Sequence, residues 1–193
     1  LKNKKNCFSF TANIFIVLRI QMKIAIFGYS GSGKSTLAAF LGEQHQLPVL
    51  HLDTVQFIEN WQERNRQEAL QMVATFMAQD SWVIDGNYSK FYKERRLEEA
   101  DHVILLLFSP FASLKRIIER RVKYRNTARP DMAEGCPEKI DGEFLWWVLY
   151  KGRNKAKRQH YQAIQKQYPE KVIVIKNQQQ LTRFYQQQHM KLR

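Results

Sequence analysis

The residues best suited to chemistry form one glycine-rich segment, GYSGSGKST, at positions 28–36. Its three glycines let the backbone curl tightly, so that successive N–H groups can point inward at a phosphate. Lys34 can reach the β- and γ-phosphate oxygens as a point charge, and the Ser35 hydroxyl is placed to coordinate Mg²⁺. The segment is therefore predicted to be a phosphate-binding P-loop, with ATP and Mg²⁺ as its cofactors.

The sequence on both sides of this loop supports the prediction. The apolar run KIAIF at 23–27 precedes it as a strand candidate, and LAAFL at 37–41 follows it as a helix candidate. A helix N-terminus at that place favours negative charge. A chance match is the alternative, but pattern and context agree. The residues expected to bind the nucleotide are Gly28, Ser30, Gly31, Ser32, Gly33, Lys34, Ser35 and Thr36. Thr36 also fits the first turn of the helix.

Two aspartates close predicted strands beside the P-loop. Asp85 ends the apolar run at 82–84 and precedes Gly86. A carboxylate there can hold Mg²⁺ through its water shell and complete the metal site begun by Ser35. Asp53 ends another strand candidate, where it could accept a proton from an acceptor hydroxyl or orient that acceptor as a catalytic residue. For either aspartate the structural alternative is a cap or a turn.

Arginines crowd one predicted helix and the segment that follows it. Arg116 and Arg120 lie one turn apart, so a helix over 113–124 would present both on one face. Guanidinium groups neutralise and orient the charge of a transferring phosphoryl group. We therefore expect Arg116 and Arg120 to act in catalysis, Arg120 and Arg125 to bind the nucleotide, and a mobile lid to span about 116–155. A solvated basic face is the alternative.

These residues need a scaffold of parallel strands. From residue 23 onward, short apolar runs alternate with helical patterns, which is typical of a sheet covered by helices on both faces. Strands are predicted at 23–27, 48–52, 82–85, 102–108 and 172–175. Helices are predicted at 34–46, 64–79, 113–124 and 143–167, with a terminal helix after 175. The fold class is predicted to be α/β, a three-layer P-loop NTPase domain with a central parallel five-stranded sheet and a small helical lid. Trp146 and Trp147 are expected to pack in the core or at the lid hinge.

The amino-acid composition limits which classes of protein and of function are possible for this chain. The 193 residues fit one domain, and a hydrophobic content of 44% excludes a disordered chain. The formal net charge of +13 predicts attraction to polyanions, either nucleic acid or, as we favour, phosphate in a cleft. Two cysteines are too few for a disulfide framework or a zinc cluster, which favours a reduced, cytoplasmic setting.

Residues 1–21 differ from the rest of the chain. They carry four basic residues and no acid around one apolar patch at 12–18. That patch is too short to span a membrane, and it lacks the small-residue cleavage site of a signal peptide. We expect residues 1–21 to be an extension outside the fold, with the kinase-like domain over 22–193 and no membrane association.

The span from Met22 to about residue 187 resembles the adenylate-kinase-like branch of the P-loop kinases. It is most similar to the small bacterial proteins labelled topology modulation protein, or FlaR-related. The motifs that carry the resemblance are the P-loop, HLD at 51–53, WVIDGNY at 82–88, RPDM at 129–132 and GCPE at 135–138. The resemblance implies an ATP-dependent kinase in which Asp85 serves the metal and Arg116 and Arg120 contact the transferring phosphate.

One departure from adenylate kinases concerns the acceptor. Those enzymes carry Phe-Pro-Arg after Asp-Gly, and the arginine grips the acceptor nucleotide, whereas this chain has NYS at 87–89. The partner is therefore expected to be a small nucleoside, nucleotide or other hydroxyl acceptor that need not be AMP. The family label implies an effect on DNA topology, so a nucleotide-gated DNA-binding or regulatory protein stays open as the alternative.

Overall fold

Five short apolar segments form the strands of one sheet in the computed structural model, which describes residues 21–123 and 141–190. The strands are β1 (Lys23–Gly28), β2 (Val49–His51), β3 (Trp82–Asp85), β4 (His102–Leu106) and β5 (Val172–Ile175). They lie in the order β2-β3-β1-β4-β5, and each neighbouring pair is parallel. The predicted parallel five-stranded sheet is confirmed.

Helices connect these strands and cover both faces of the sheet. Those in the described ranges are α1 (Lys34–His45), α2 (Leu52–Gln56), α3 (Arg66–Met77), α4 (Lys93–Glu99), α5 (Pro110–Lys123), α6 (Gly142–Leu149), α7 (Lys155–Gln167) and α8 (Gln178–Met190). The predicted three-layer α/β class is therefore confirmed. None of these helices is both long enough and apolar enough to cross a bilayer.

The central strand β1 is buried on both faces, which explains its nearly unbroken apolar sequence. Ile26 lies in a core cluster with Leu37 of α1 on one face. Phe27 lies in a second cluster with Val73 of α3 and Tyr161 of α7 on the other face. The strand that leads into the P-loop is thus held rigidly between two hydrophobic layers.

The strand order places the P-loop at a switch in the direction of winding. The chain passes from β1 to the edge strand β2, returns to β3 beside β1, and then crosses to β4 on the other side of β1. Ligands of open α/β sheets bind at the carboxyl ends of strands where the order reverses in this way. The backbone N–H of Tyr29 donates to Leu106 O of β4 at 3.1 Å, which fixes the loop at that edge.

The prediction of one long helix over 143–167 is wrong. Two helices, α6 and α7, are separated by a 3₁₀ turn at Lys151–Arg153. Asn154 caps α7, since its side chain accepts a hydrogen bond from the backbone N–H of Lys157 at 2.9 Å. At Gly152 a Cβ would come within 2.9 Å of a carbonyl oxygen of α6. A cap and a close backbone approach together end one helix and begin the next.

Helix α4 was not predicted from the sequence. Its sequence KERRLEE has no apolar periodicity, and six of its seven residues are charged. Only Arg96 and Leu97 are buried. The helix depends on contacts that Arg96 makes with the rest of the fold, which local sequence does not show.

The lid predicted over 116–155 is described only in part, because residues 124–140 lie outside the described residues, and Arg125 is among them. The described parts are the end of α5, all of α6 and the turn before α7. Trp146 and Trp147 of α6 are 59% and 42% exposed, so they do not pack in the core, and their packing at the lid hinge stays a prediction.

Candidate nucleotide-binding site

The loop after β1 turns through three glycines with left-handed backbone. Gly28, Gly31 and Gly33 have φ angles of 148°, 72° and 91°. At Gly28 a Cβ would lie 2.3 Å from the carbonyl oxygen of Leu106, so only glycine fits there. Helix α1 begins directly after the loop, at Lys34, and no side chain caps its N-terminus. This is the backbone arrangement that binds phosphate in P-loops.

The interior of the loop has features that suit a bound nucleotide. Ser32 is fully buried, and its hydroxyl has no hydrogen-bond partner within the described part of the chain. Burying a hydroxyl without a partner is costly, and a phosphate oxygen would supply one. Lys34 Nζ donates to Tyr29 O at 3.2 Å, so its ammonium group folds back onto the loop. Of the other predicted residues, Thr36 is exposed on the first turn of α1.

Ser35 and Asp85, the two predicted metal ligands, are in direct contact. Ser35 Oγ donates to Asp85 Oδ2 at 3.0 Å. Asp85 is 4% exposed, and its register opposite Ile26 of β1 aims it at the start of α1. No cluster of three or more acidic, His or Cys ligands is found in the described ranges. One carboxylate and one hydroxyl are nevertheless what Mg²⁺ uses when substrate phosphates and waters complete its shell.

His51 is a third member of this site, and it was missed as a functional residue. His51 Nδ1 lies 2.5 Å from Asp85 Oδ1. The two residues are register partners in neighbouring parallel strands, β2 and β3. Because Asp85 is buried, a hydrogen bond on each of its oxygens fixes its orientation toward Ser35. The position of His51 at the end of a predicted strand was the signal that could have identified it.

Asp53 lies in α2 and not at a strand end, because β2 stops at His51. Its Oδ1 accepts a hydrogen bond of 2.7 Å from the hydroxyl of Tyr88. Burial, and next the charge of Asp53, raise the pKa of Tyr88 well above its ordinary value. The phenol therefore stays protonated and holds the Asp53 carboxylate in one orientation.

The loop after β3 is tied to the P-loop by an amide. Gly28 N donates to Asn87 Oδ1 at 3.1 Å, and Asn87 Nδ2 donates to Gly28 O at 2.7 Å. Both backbone polar groups of Gly28 are therefore satisfied by one side chain. Asn87 belonged to a motif noted in the sequence, but nothing in that motif indicated this contact.

Arg96 holds the same loop from the side of the core. Its guanidinium donates to Phe91 O at 2.9 Å, Gly86 O at 3.0 Å and Tyr88 O at 2.8 Å. It is fully buried and packs against the ring of Phe27 at 4.9 Å. Burial lowers the pKa of Arg96 to about 10, which leaves it charged at neutral pH. Arg96 thus positions the loop that carries Asn87 and Tyr88.

The predicted arginine face on α5 is present, and Arg116 reaches the P-loop. Arg116 Nη1 donates to Ser32 O at 2.7 Å, and its Nη2 contacts Gln178 Oε1 of α8. The guanidinium also lies 4.1 Å from the ring centre of Phe108. Arg120 is half-buried one turn further along α5. The structure therefore brings Arg116 to the loop that would hold the transferring phosphate.

Arg153 lies in the basic stretch KGRNKAKR at 151–158. It is half-buried, and its guanidinium donates to Phe108 O at 2.5 Å, Val148 O at 2.7 Å and Ser113 Oγ at 2.7 Å. Burial lowers the pKa of Arg153, and the rings of Tyr29 and Tyr161 act in the opposite direction. Arg153 is a bound structural cation and not part of a solvated basic face.

Comparison with known proteins supports the fold and goes no further. No protein-family model matches the chain, and no curated protein matches it. TT1252 from Thermus thermophilus superimposes with a TM-score of 0.52 at 14% identity, over 89% of this chain and 98% of that chain. At that identity the likeness concerns the fold alone.

Two further structures are similar at lower TM-scores. An uncharacterized protein from Eubacterium ventriosum has a TM-score of 0.46 at 18% identity, covering 81% of this chain and 89% of that chain. Deoxyadenosine kinase from M. mycoides with bound dCTP has a TM-score of 0.38 at 17% identity, with 80% and 90% covered. These scores are too low to support an argument about function, and the resemblance to topology modulation proteins stays a prediction. What is shown is the three-layer α/β fold with its parallel five-stranded sheet.

Proposed function

We propose that this protein is a Mg²⁺-dependent phosphotransferase that moves the γ-phosphoryl group of ATP to a small acceptor. The observation that carries the proposal is the 3.0 Å hydrogen bond from Ser35 to the buried Asp85. It joins the hydroxyl at the end of a P-loop to a carboxylate on the neighbouring strand. Hydroxyl and carboxylate are the protein ligands that P-loop NTPases give to the Mg²⁺ of Mg-ATP.

The chain supplies positive charge where the phosphates would lie. Lys34 folds over the loop, and Arg116 is held against it by Ser32 O. In the transfer, the bond from the γ-phosphorus to the ADP oxygen breaks, a bond to the acceptor oxygen forms, and the acceptor releases its proton. Mg²⁺, when bound, supplies neutralisation of charge on the phosphate oxygens. Catalysis is then mainly positioning and electrostatic stabilisation.

Asp53 is the group that we assign to the acceptor. Its carboxylate is held by the Tyr88 hydroxyl at 2.7 Å, on the strand-end side where Asp85 and His51 also lie. A fixed carboxylate can take the proton of an acceptor hydroxyl or orient that hydroxyl for attack.

The test is ATP consumption with Mg²⁺, measured as ADP release, against a panel of nucleosides, nucleotides and small hydroxyl metabolites. Stimulation by one compound, lost in Lys34→Ala and kept in a variant of the exposed Lys166, Lys166→Ala, would support the proposal. If ATP binds but no compound stimulates turnover, the phosphotransferase proposal is wrong.

The DNA-binding alternative stays a prediction. It requires DNA binding that weakens steeply as salt increases and that changes when ATP is added. DNA binding and ATP consumption can be measured on the same preparation, so the DNA-binding role and the phosphotransferase role can be distinguished.

A further inference from the structure

We infer that a cavity between α4 and α7 binds an anionic group, such as a phosphate, on the acceptor. Its volume is about 350 Å³. Pockets for small molecules commonly have volumes of about 300–1,000 Å³, so this cavity suits a small metabolite or part of one. The assignment of its ligand to the acceptor rests on the proposed function, whereas anion binding by the cavity does not.

Two lysines and a histidine line the cavity. Lys93 comes from the first residue of α4, and Lys157 and His160 come from α7. Lys93 pairs with Glu94 at 3.1 Å, and the Glu94 side chain is 72% exposed, so the negative charge lies on the solvent side. The pKa of His160 is lowered by burial first and then by the positive charges of Lys93 and Lys157. Lys93, Lys157 and His160 therefore line one cavity, where the negative charge of Glu94 partly opposes the charges of the two lysines.

Uncharged hydrogen-bonding groups complete the lining. Asn87 and Ser89 face it from the loop after β3, and Asn154 faces it from the N-terminus of α7. Anion sites in proteins combine such donors with ammonium groups. An anionic ligand could pair with the Lys157 ammonium group, whereas a neutral, apolar ligand could not.

The cavity shares its wall with the P-loop. Phe27, the residue before Gly28, lines it, and so does Asn87, which holds both backbone polar groups of Gly28. Tyr161 also lines it and packs edge-on against Tyr29 of the P-loop, with ring centroids 5.4 Å apart. A ligand in the cavity therefore lies beside the donor site and not on a remote surface.

The substrate class that follows is a small acceptor with a phosphate or similar anionic group. A nucleoside monophosphate and a sugar phosphate both carry this chemistry. Comparing the turnover of each compound with that of its dephosphorylated form tests whether the anionic group is needed. Comparing the nucleoside monophosphate with the sugar phosphate identifies which of the two classes of compound carries that group.

The first experiment measures anion binding apart from catalysis. Inorganic phosphate is titrated, with NMR detection of the His160 ring protons, into protein saturated with Mg²⁺ and a non-hydrolysable ATP analogue, so that the P-loop is filled. We expect Lys157→Ala to weaken phosphate binding by roughly tenfold, as when one charged hydrogen bond is lost. Lys155→Ala is the matched control, because this exposed lysine on α7 does not line the cavity. Lys157→Arg should restore binding.

The second experiment measures turnover with the matched acceptors. We expect the phosphorylated member of a pair to be preferred, and Lys157→Ala to raise its KM while the KM of ATP is unchanged. Equal phosphate binding by wild type and Lys157→Ala would overturn the anion site. Phosphate binding without any stimulated turnover would leave the anion site standing and contradict the phosphotransferase. Stimulation by neutral acceptors, with KM insensitive to Lys157→Ala, would leave the phosphotransferase standing and contradict the acceptor assignment.

Discussion

The guanidinium of Arg153 lies 4.1 Å from the ring centre of Tyr29, so the turn between α6 and α7 rests on the P-loop. Tyr29 follows the first glycine of the loop, and Arg153 is in turn fixed by the carbonyl groups of Phe108, after β4, and of Val148, in α6. A planar guanidinium can stack on a ring and donate several hydrogen bonds at once, which lysine cannot do. Arg153 therefore supports the loop from outside.

We expect Arg153→Ala to weaken Mg-ATP binding by roughly tenfold, because the stacking contact that supports Tyr29 is lost. Isothermal titration with Mg-ATP measures the change. Lys151→Ala removes an exposed charge from the same turn and should leave the affinity unchanged. Equal losses of Mg-ATP affinity in both variants would show that the affinity depends on net charge and not on the contact with Tyr29.

Asn87→Ala should weaken ATP binding because Gly28 N and Gly28 O both lose their partner. We expect a decrease in affinity of roughly tenfold, in line with a broken pair of hydrogen bonds. Asn65→Ala, which removes the cap of α3, is the control. It should lower thermal stability without changing ATP affinity. An unchanged ATP affinity in Asn87→Ala would contradict the role assigned to this side chain.

Asp85→Asn should lower kcat by roughly 100-fold or more, since the carboxylate proposed to hold Mg²⁺ against the reacting phosphates is lost. The Mg²⁺ concentration for half-maximal turnover should also rise, because an amide is a weaker ligand than a carboxylate. Titration of Mg²⁺ at saturating ATP measures both effects. Asp80→Asn changes an exposed carboxylate in the turn after α3 and should behave as wild type.

Arg96→Ala should destabilise the fold by about 3–5 kcal/mol, because three buried carbonyl groups lose a charged donor. Urea unfolding followed by circular dichroism measures the free energy. Arg95→Ala removes an exposed ion pair with Glu99 and should cost less than about 1 kcal/mol. If Arg96→Ala does not fold, Arg96→Lys, which keeps the charge and loses the planar donors, should still show a clear loss. A stability equal to wild type in Arg96→Lys would be inconsistent with the three-carbonyl role.

The raised pKa of Tyr88 predicts a dependence of stability on alkaline pH. The unfolded chain loses this phenolic proton near the ordinary pKa of 10.0, whereas the folded chain retains it to higher pH. The stabilisation is therefore present below pH 10.0 and is lost as pH rises above that value. Tyr88→Phe should have a smaller loss of stability above pH 10.0 than wild type, in urea unfolding at pH 8 to 11. Tyr150→Phe, at a 59% exposed position, should follow the wild-type curve.

Much of the fold follows from local sequence. The strands predicted at 82–85 and 172–175 are present as β3 and β5, with the predicted bounds. The other predicted strands, and the helices predicted at 34–46, 64–79 and 113–124, differ from their predicted bounds by a few residues. Buried parallel strands flanked by turns have a strong signal, because both faces must be apolar. The P-loop has an equally strong signal, since its glycines are required by positive φ angles.

The features that local sequence did not show depend on long-range contacts. The charged run KERRLEE predicts a surface position for Arg96. The residue is nevertheless buried, because its guanidinium donates hydrogen bonds to carbonyl groups of the loop after β3. His51 pairs with Asp85 only through the register of β2 with β3. The break between α6 and α7 has a local cause in Gly152 and Asn154, which the helical pattern concealed.

The first three residues of the loop that follows β3 have a consequence for regulation. Gly86 is held by Arg96, Asn87 holds the P-loop, and Tyr88 holds Asp53. The loop therefore contacts the P-loop through Asn87 and Asp53 through the next residue, Tyr88. Under the proposed function, an acceptor that tightens ATP binding is itself bound more tightly by the ATP complex, by the same factor. We therefore expect donor and acceptor affinities to be coupled through this loop.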